Sequence, residues 1–198
     1  MKPARLLLKS VQYLTSSQSH VEPEHYFDKG VFLWDDFVNT YQEELPAFLE
    51  RWEMQRCHIG FRTARDLSYL QWRYGRQPNI KYWIYAHENN TGLDGFLIVR
   101  PYVRYGLQGV FLNEMFLREP SRDTGLHILK GFINHFKGNY IIAHFSDGTI
   151  ERDILVRQRF FRIPVTGIVF TVKPLKDNIL DPGNSNNWDM TLGDLEIF

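Results

Sequence analysis

Cysteine is nearly missing from this chain: Cys57 stands alone among 198 residues. A single thiol excludes an internal disulfide and a thiolate metal centre, and it fits a reducing compartment, so a cytoplasmic location is expected. An excess of one charge is missing too, because 23 Lys and Arg face 23 Asp and Glu. No overall field draws the protein to nucleic acid, no nucleic-acid module is recognisable, and no such partner is expected. Long apolar runs are also lacking. The segment "ARLLLKSV" is too short for a signal peptide or an anchor, and no membrane span is expected. No two histidines have the i, i+4 spacing of a zinc helix, so no metal is expected. There are no repeats and no low-complexity tract.

What remains is the composition of a soluble globular domain, 43% hydrophobic and 23% charged, on a chain long enough for one sizeable core. From Asp35 to Trp52 apolar residues recur at three- and four-residue steps, which predicts a helix. Pro46 inside that run is expected to kink it or to start a second helix. "TARDLSYLQWRY" predicts another helix, with Thr63 as N-cap and Asp66 three residues on. "IKYWIYAH", "FLIVRPYVRY" and "GVFLNEMFL" read as three strands joined by short turns, hence an antiparallel meander. After them come a helix from Thr124 ending near Gly138, an apolar strand "YIIAHFS" expected to be covered on both faces, a helix in "DGTIERDILVRQRFF" and a strand "TGIVFTVK". The expected organisation is an N-terminal extension or first strand (1–29), one α/β (α+β) domain (30–175) and a tail (176–198) packed on it, with Trp188 as a candidate pin.

Between the third strand and the next helix lies "RDTGLH". This order and this turn resemble the GCN5-related N-acetyltransferase (GNAT) family, whose turn reads Gln/Arg-x-x-Gly-x-Gly/Ala. The segments "RDLSYLQWRYGRQPNIKYWIYA" and "NWDMTLGDLE" are similar to the C-terminal lobe of bacterial GNAT-like proteins linked to polysaccharide or cell-envelope biosynthesis. The resemblance implies a mixed central sheet and acetyl-CoA as co-substrate. It also implies a small-molecule amine or amino-sugar acceptor, and a dimer or a second GNAT-like lobe as partner. Backbone amides at a helix N-terminus suit the coenzyme's pyrophosphate, because they offer donors and the positive end of a helix dipole.

Under that resemblance the coenzyme residues are Arg122, Asp123, Thr124, Gly125, Leu126 and His127, with the backbone of Met115, Phe116 and Leu117 pairing with the pantetheine arm. His127 stands where the family has Gly or Ala, and its imidazole is expected to crowd the phosphates. Asp123 adds a negative charge beside them. Glu114 is the expected general base, taking a proton from the acceptor ammonium. The tyrosine that serves the family as general acid falls at Val156 here. Arg73, Arg76 and Arg100 are candidates for a basic rim that grips an anionic substrate.

Each reading has a plainer counterpart. Asp123 or Thr124 caps a helix and Gly125 eases packing; Glu114 faces solvent, since one of Asn113 and Glu114 should point outward. Arg73 answers Asp66 or Asp194 while Trp72 and Tyr74 pack beneath the sheet, and His144 is an interior histidine. A catalytically degenerate lobe that binds a partner or a sugar is the alternative function.

Overall fold

In the computed structural model, residues 26–27, 30–56, 60–163, 172 and 180–195 are described. Cys57, the expected strand "TGIVFTVK" apart from Val172, and most of the N-terminal extension lie outside these residues. The chain forms β1 (Val31–Leu33), α1 (Trp34–Thr40), α2 (Leu45–Arg56), β2 (Phe61–Arg62) and α3 (Leu67–Leu70), which runs into a π-helical turn, Gln71–Gly75. Then come β3 (Trp83–Asn89), β4 (Gly92–Arg104), β5 (Leu107–Leu117), α4 (Arg122–His135), β6 (Tyr140–Ala143) and α5 (Ile150–Arg157). A 3₁₀ turn, Ser185–Asn187, leads into β7 (Trp188–Asp189) and α6 (Leu192–Leu195).

This is a mixed α/β domain with a mostly antiparallel sheet. The order across the main sheet is β1-β3-β4-β5-β6, and only β5 with β6 is parallel; β2 and β7 form a separate parallel ribbon. Pro46 sits in the first turn of α2, where no amide donor is needed, so the chain restarts a helix there rather than kinking one. The cap of α3 is Asp66, not Thr63: its carboxylate accepts from the Tyr69 amide at 2.7 Å. Thr63 offers its carbonyl to Arg65 instead. Ser121 caps α4 in place of Asp123 or Thr124, accepting from the Thr124 amide. The helix also closes earlier than Gly138, at His135.

Two apolar clusters clamp the sheet. One face, with Leu97, Leu112, Met115 and Leu117, packs on Ile128, Leu129 and Phe132 of α4 and Ile154 of α5. The other, with Phe96, Ile98 and Phe116, packs on Phe37, Phe48, Trp52 and Leu70 of the first three helices. Phe96 and Phe116 stack at 4.4 Å across β4 and β5. Each ring so buried contributes about 1.5–3 kcal/mol.

A bulge sets the geometry of everything beyond it. Ile98 faces Glu114 while the next residue, Val99, faces Leu112, so Asn113 is an extra residue on β5. The alternation breaks there, which is why Asn113 and Glu114 are both buried, against the expectation that one faces solvent. Pairing of β5 with β6 ends just at this point, at Leu112 and Ala143, although β5 runs on to Leu117. From the bulge onward the two strands part. β6 is half-buried throughout rather than covered on both faces.

Candidate functional site

Where β5 leaves its parallel partner, two helices begin. Ser121 ends the extended approach to α4, and its hydroxyl takes the Thr124 amide, leaving the amides before it without an intrahelical acceptor. Thr149 does the same for α5, accepting from the Arg152 amide while its own hydroxyl donates to the Ser146 carbonyl. Both helix starts border one open groove of about 1000 Å³, lined from α4 by Arg122, Asp123 and Leu126 and from α5 by Thr149, Arg152 and Asp153. The positive ends of two helix dipoles therefore share a concavity, the arrangement that favours an anion.

Charges in the groove are paired but partly or largely exposed. Arg122 and Arg157 both reach Asp153, and Arg152 reaches Asp147. Exposed ion pairs of this kind are worth about 0–1 kcal/mol, so the guanidinium groups can turn to a stronger acceptor, such as a phosphate, at little cost. Gly125 does not face the groove. A Cβ there would run into Ile154 and come within 3.2 Å of Leu117, so the glycine lets α4 seat against α5 and β5. His127 is exposed, and its ring meets His87 edge-on at 4.9 Å rather than lining the groove. The side chain leaves α4 toward β3, away from the groove in which the crowding was expected. Val156 is half exposed and does line the groove, so no phenol stands there.

Met115, Phe116 and Leu117 are buried on β5, opposite Leu97, Phe96 and Gly95 of β4. Their stretch lies past the last pair with β6. In such a ladder half of the peptide groups point toward β4 and half toward the other edge.

Glu114 belongs to a second, largely buried region. It is 1% exposed. Arg65 donates to Glu114 Oε2 through Nε at 2.9 Å, and the Tyr74 hydroxyl donates to Oε1 at 2.8 Å. Arg65 reaches on to Asp194 Oδ2 at 2.6 Å and to the Thr191 hydroxyl at 3.0 Å. A second arginine, Arg56, bridges Glu151 and Asp189. Gly193 lies directly against this cluster: a Cβ there would overlap the Tyr74 hydroxyl and come within 2.6 Å of Glu114 Oε1. The α6 turn thereby closes over β5. Burial pushes the Glu114 carboxyl above its ordinary range, against the pull of Arg65. The Tyr74 phenol is pushed well up by burial and by the Glu114 charge. Burial alone would weaken the Arg65 cation, but Glu114 and Asp194 outweigh it and hold it charged.

The three rim arginines are on separate elements. Arg73 is buried, donating to the Tyr82 hydroxyl and the Gly193 carbonyl, so the expected Asp66 or Asp194 partner belongs to Arg65 in the case of Asp194 and to the helix cap in the case of Asp66. Arg76 is exposed, and Arg100 is half-buried with its guanidinium 5.0 Å from the centre of the Phe111 ring. Trp72 is 59% exposed instead of packing beneath the sheet, because the π-helical turn rotates it outward while it buries Arg73 and Tyr74. His144 is exposed at the end of β6, its carbonyl accepting from the Leu192 amide.

Sequence reading missed Arg65, Arg56, Glu151 and Asp189 as members of a buried network. The partners of Arg65 lie on the sheet and the tail, far along the chain, and no local pattern joins them. The one signal available is a Gly-Asp pair in an otherwise irregular tail. Among the described residues no three His, Cys, Asp or Glu side chains gather as a metal site, and no helix is long and apolar enough to cross a membrane.

The chain matches no protein-family model and no curated protein. Among solved structures it is similar to a crystal structure described as a probable acetyltransferase, with 17% identity, a TM-score of 0.44, 69% of this chain and 95% of that one covered. It is also similar to a mutant of TTHA1254 from Thermus thermophilus, with 13% identity, a TM-score of 0.36 and 67% and 95% coverage.

Proposed function

We propose that the protein is an acyltransferase of the N-acetyltransferase type, taking an acyl group from an acyl-CoA such as acetyl-CoA to an amine of a small molecule. The observation that carries this reading is the groove itself. Two helix N-termini and three arginines with weakly held partners border one groove, and α4 follows a β5 strand that runs on past its last pair with β6. The coenzyme's pyrophosphate would sit on the amides ahead of Thr124, turning Arg122 and Arg152 away from Asp153 and Asp147. The pantetheine arm would run along Met115–Leu117. The acceptor amine, freed of its proton with Glu114 as the base, attacks the thioester carbonyl; the C–N bond forms, the C–S bond breaks, and the thiolate leaves without a tyrosine at Val156 to protonate it. An amino sugar of the cell envelope is the acceptor that the sequence resemblance suggests.

Calorimetry with acetyl-CoA tests the coenzyme step. Saturable binding is expected, and Arg122→Ala should weaken it by about tenfold, the worth of one charge-assisted hydrogen bond. No heat and no thermal shift at millimolar acetyl-CoA would contradict the reading.

A second reading is favoured by one specific observation. Both oxygens of Glu114 are taken, at 1% exposure, beneath Gly193. A lobe with its only β5 carboxylate locked in this way would bind a partner or a ligand without catalysing transfer. Release of free CoA thiol on mixing acetyl-CoA with a panel of amines separates the two: coenzyme binding with no thiol release from any amine selects the second.

A further inference from the structure

The chain leaves α5 through a pinned turn that sends one ring inward and its neighbour outward. The Arg159 amide donates to the Val156 carbonyl and the Phe160 amide to the Leu155 carbonyl, each at 3.0 Å, and Arg159 takes a left-handed φ of 62°. The Gln158 side chain adds a bond to the Leu126 carbonyl of α4. Phe160 packs against the core cluster that α4 and α5 share, whereas Phe161 is 85% exposed. Val156 and Ile163 are exposed as well, at 54% and 45%. One water-facing aliphatic is ordinary, but three large apolar side chains between Val156 and Ile163 make a run of exposed apolar surface.

Cations are interleaved with them. Arg157, Arg159 and Arg162 are all exposed. Arg157 pairs with Asp153, but neither Arg159 nor Arg162 is held by a carboxylate among the described residues. The sequence has no Asp or Glu between Asp153 and Asp177. The matching partner is therefore anionic, with an apolar layer within reach of a side chain. A nucleic acid supplies the charge, but the aliphatic Val156 and Ile163 give bases no face to stack on. A stable protein interface draws on about 20–30 residues a side, and this run spans only Val156–Ile163. An anionic bilayer offers phosphate to the arginines and a hydrocarbon boundary to the ring, and needs no matched surface.

We propose that the end of α5 docks on an anionic lipid surface, with Phe161, Val156 and Ile163 entering the interface and Arg159 and Arg162 meeting lipid phosphate. Attachment through one turn is reversible and weakens as salt rises. The inference does not rest on the acyltransferase reading.

Sedimentation of the full chain with vesicles tests it, using phosphatidylcholine alone and phosphatidylcholine with one third phosphatidylglycerol. The protein should bind the anionic vesicles at low salt, come off as salt rises, and leave the neutral vesicles bare. Arg159→Gln and Arg162→Gln should each weaken binding about fivefold, the worth of one cation at such a surface. Phe161→Ser should weaken it about tenfold, from the loss of the inserted ring. Trp72→Ser removes another exposed ring, from the helical layer on the opposite face of the sheet, and should leave binding unchanged. The proposal is overturned by no binding to anionic vesicles, by equal binding to neutral ones, or by binding that none of the three α5 variants weakens. A loss with Trp72→Ser equal to that with Phe161→Ser overturns it too. None of these substitutions replaces a residue lining the groove, so the outcome is independent of whether acetyl-CoA binds there.

Discussion

Arginine meets carboxylate in two regions of this molecule, to opposite effect. At the starts of α4 and α5, Arg122, Arg152 and Arg157 pair with Asp153 and Asp147 in the open, with Arg122 59% and Arg157 53% exposed. Beneath β5, Arg65 pairs with Glu114 and Asp194, the three side chains being 1%, 2% and 11% exposed. Water screens the first set, so those side chains are free to exchange partners when an anion arrives. The second set has lost its water and can only hold what it holds. The same chemistry is exchangeable surface charge in one place and a clasp for the tail in the other.

The buried set should therefore be the easier to break. Arg65→Met leaves Glu114 and Asp194 buried with no cation, and urea unfolding should show a loss of about 3–5 kcal/mol. The deficit should shrink in acid, where the abandoned carboxylates take up protons. Gly193→Ala places a methyl against the Tyr74 hydroxyl and Glu114 Oε1, and should cost about 1–3 kcal/mol by the same measurement.

The pH dependence sharpens the contrast inside the buried region. Burial raises the Glu53 carboxyl, but the Arg62 hydrogen bond and the Arg65 amide outweigh it and hold it below its ordinary value. A folded value below the unfolded one gives stability that is present above the ordinary carboxylate range and is lost as pH falls through the folded value. Glu114 and Glu151 are raised by burial, so their contribution has the opposite sign: it is present in acid and lost as pH rises through their folded values. Glu53→Gln should flatten the acid limb of a stability–pH curve, whereas Glu114→Gln should remove part of the decline on the upper side.

In the groove, stability should barely register. Asp153→Asn should change unfolding free energy by at most about 1 kcal/mol, yet leave Arg122 and Arg157 unopposed and tighten acetyl-CoA binding several-fold by calorimetry. His127→Ala should have the smallest effect on that binding, since the imidazole faces His87.

The meander, the four long helical segments and the groove's α4 edge were legible because each is written locally. A period of two or of 3.6 residues, a proline at a helix start and a strand-to-helix turn are all short-range signals. Glu114 stood out for the same reason, as a carboxylate inside an apolar strand, whatever its role. Its surroundings did not, because an extra residue at Asn113 resets which side chains face inward, and a bulge has no letter of its own. Arg65 was hidden further. Its partners sit on β5 and in the tail, and only the folded chain brings them to one point. His127 shows the converse limit, since a motif fixes a position along a helix but not the direction in which a substituted side chain departs.

Backbone amide mapping by NMR during an acetyl-CoA titration tests the central claim most directly. The account predicts saturable shifts concentrated at Arg122–His127, at Thr149–Asp153 and along Met115–Leu117, with the amides around Arg65 and Gly193 little moved. Saturation with no change at the starts of α4 and α5, or no change anywhere at millimolar coenzyme, would contradict it.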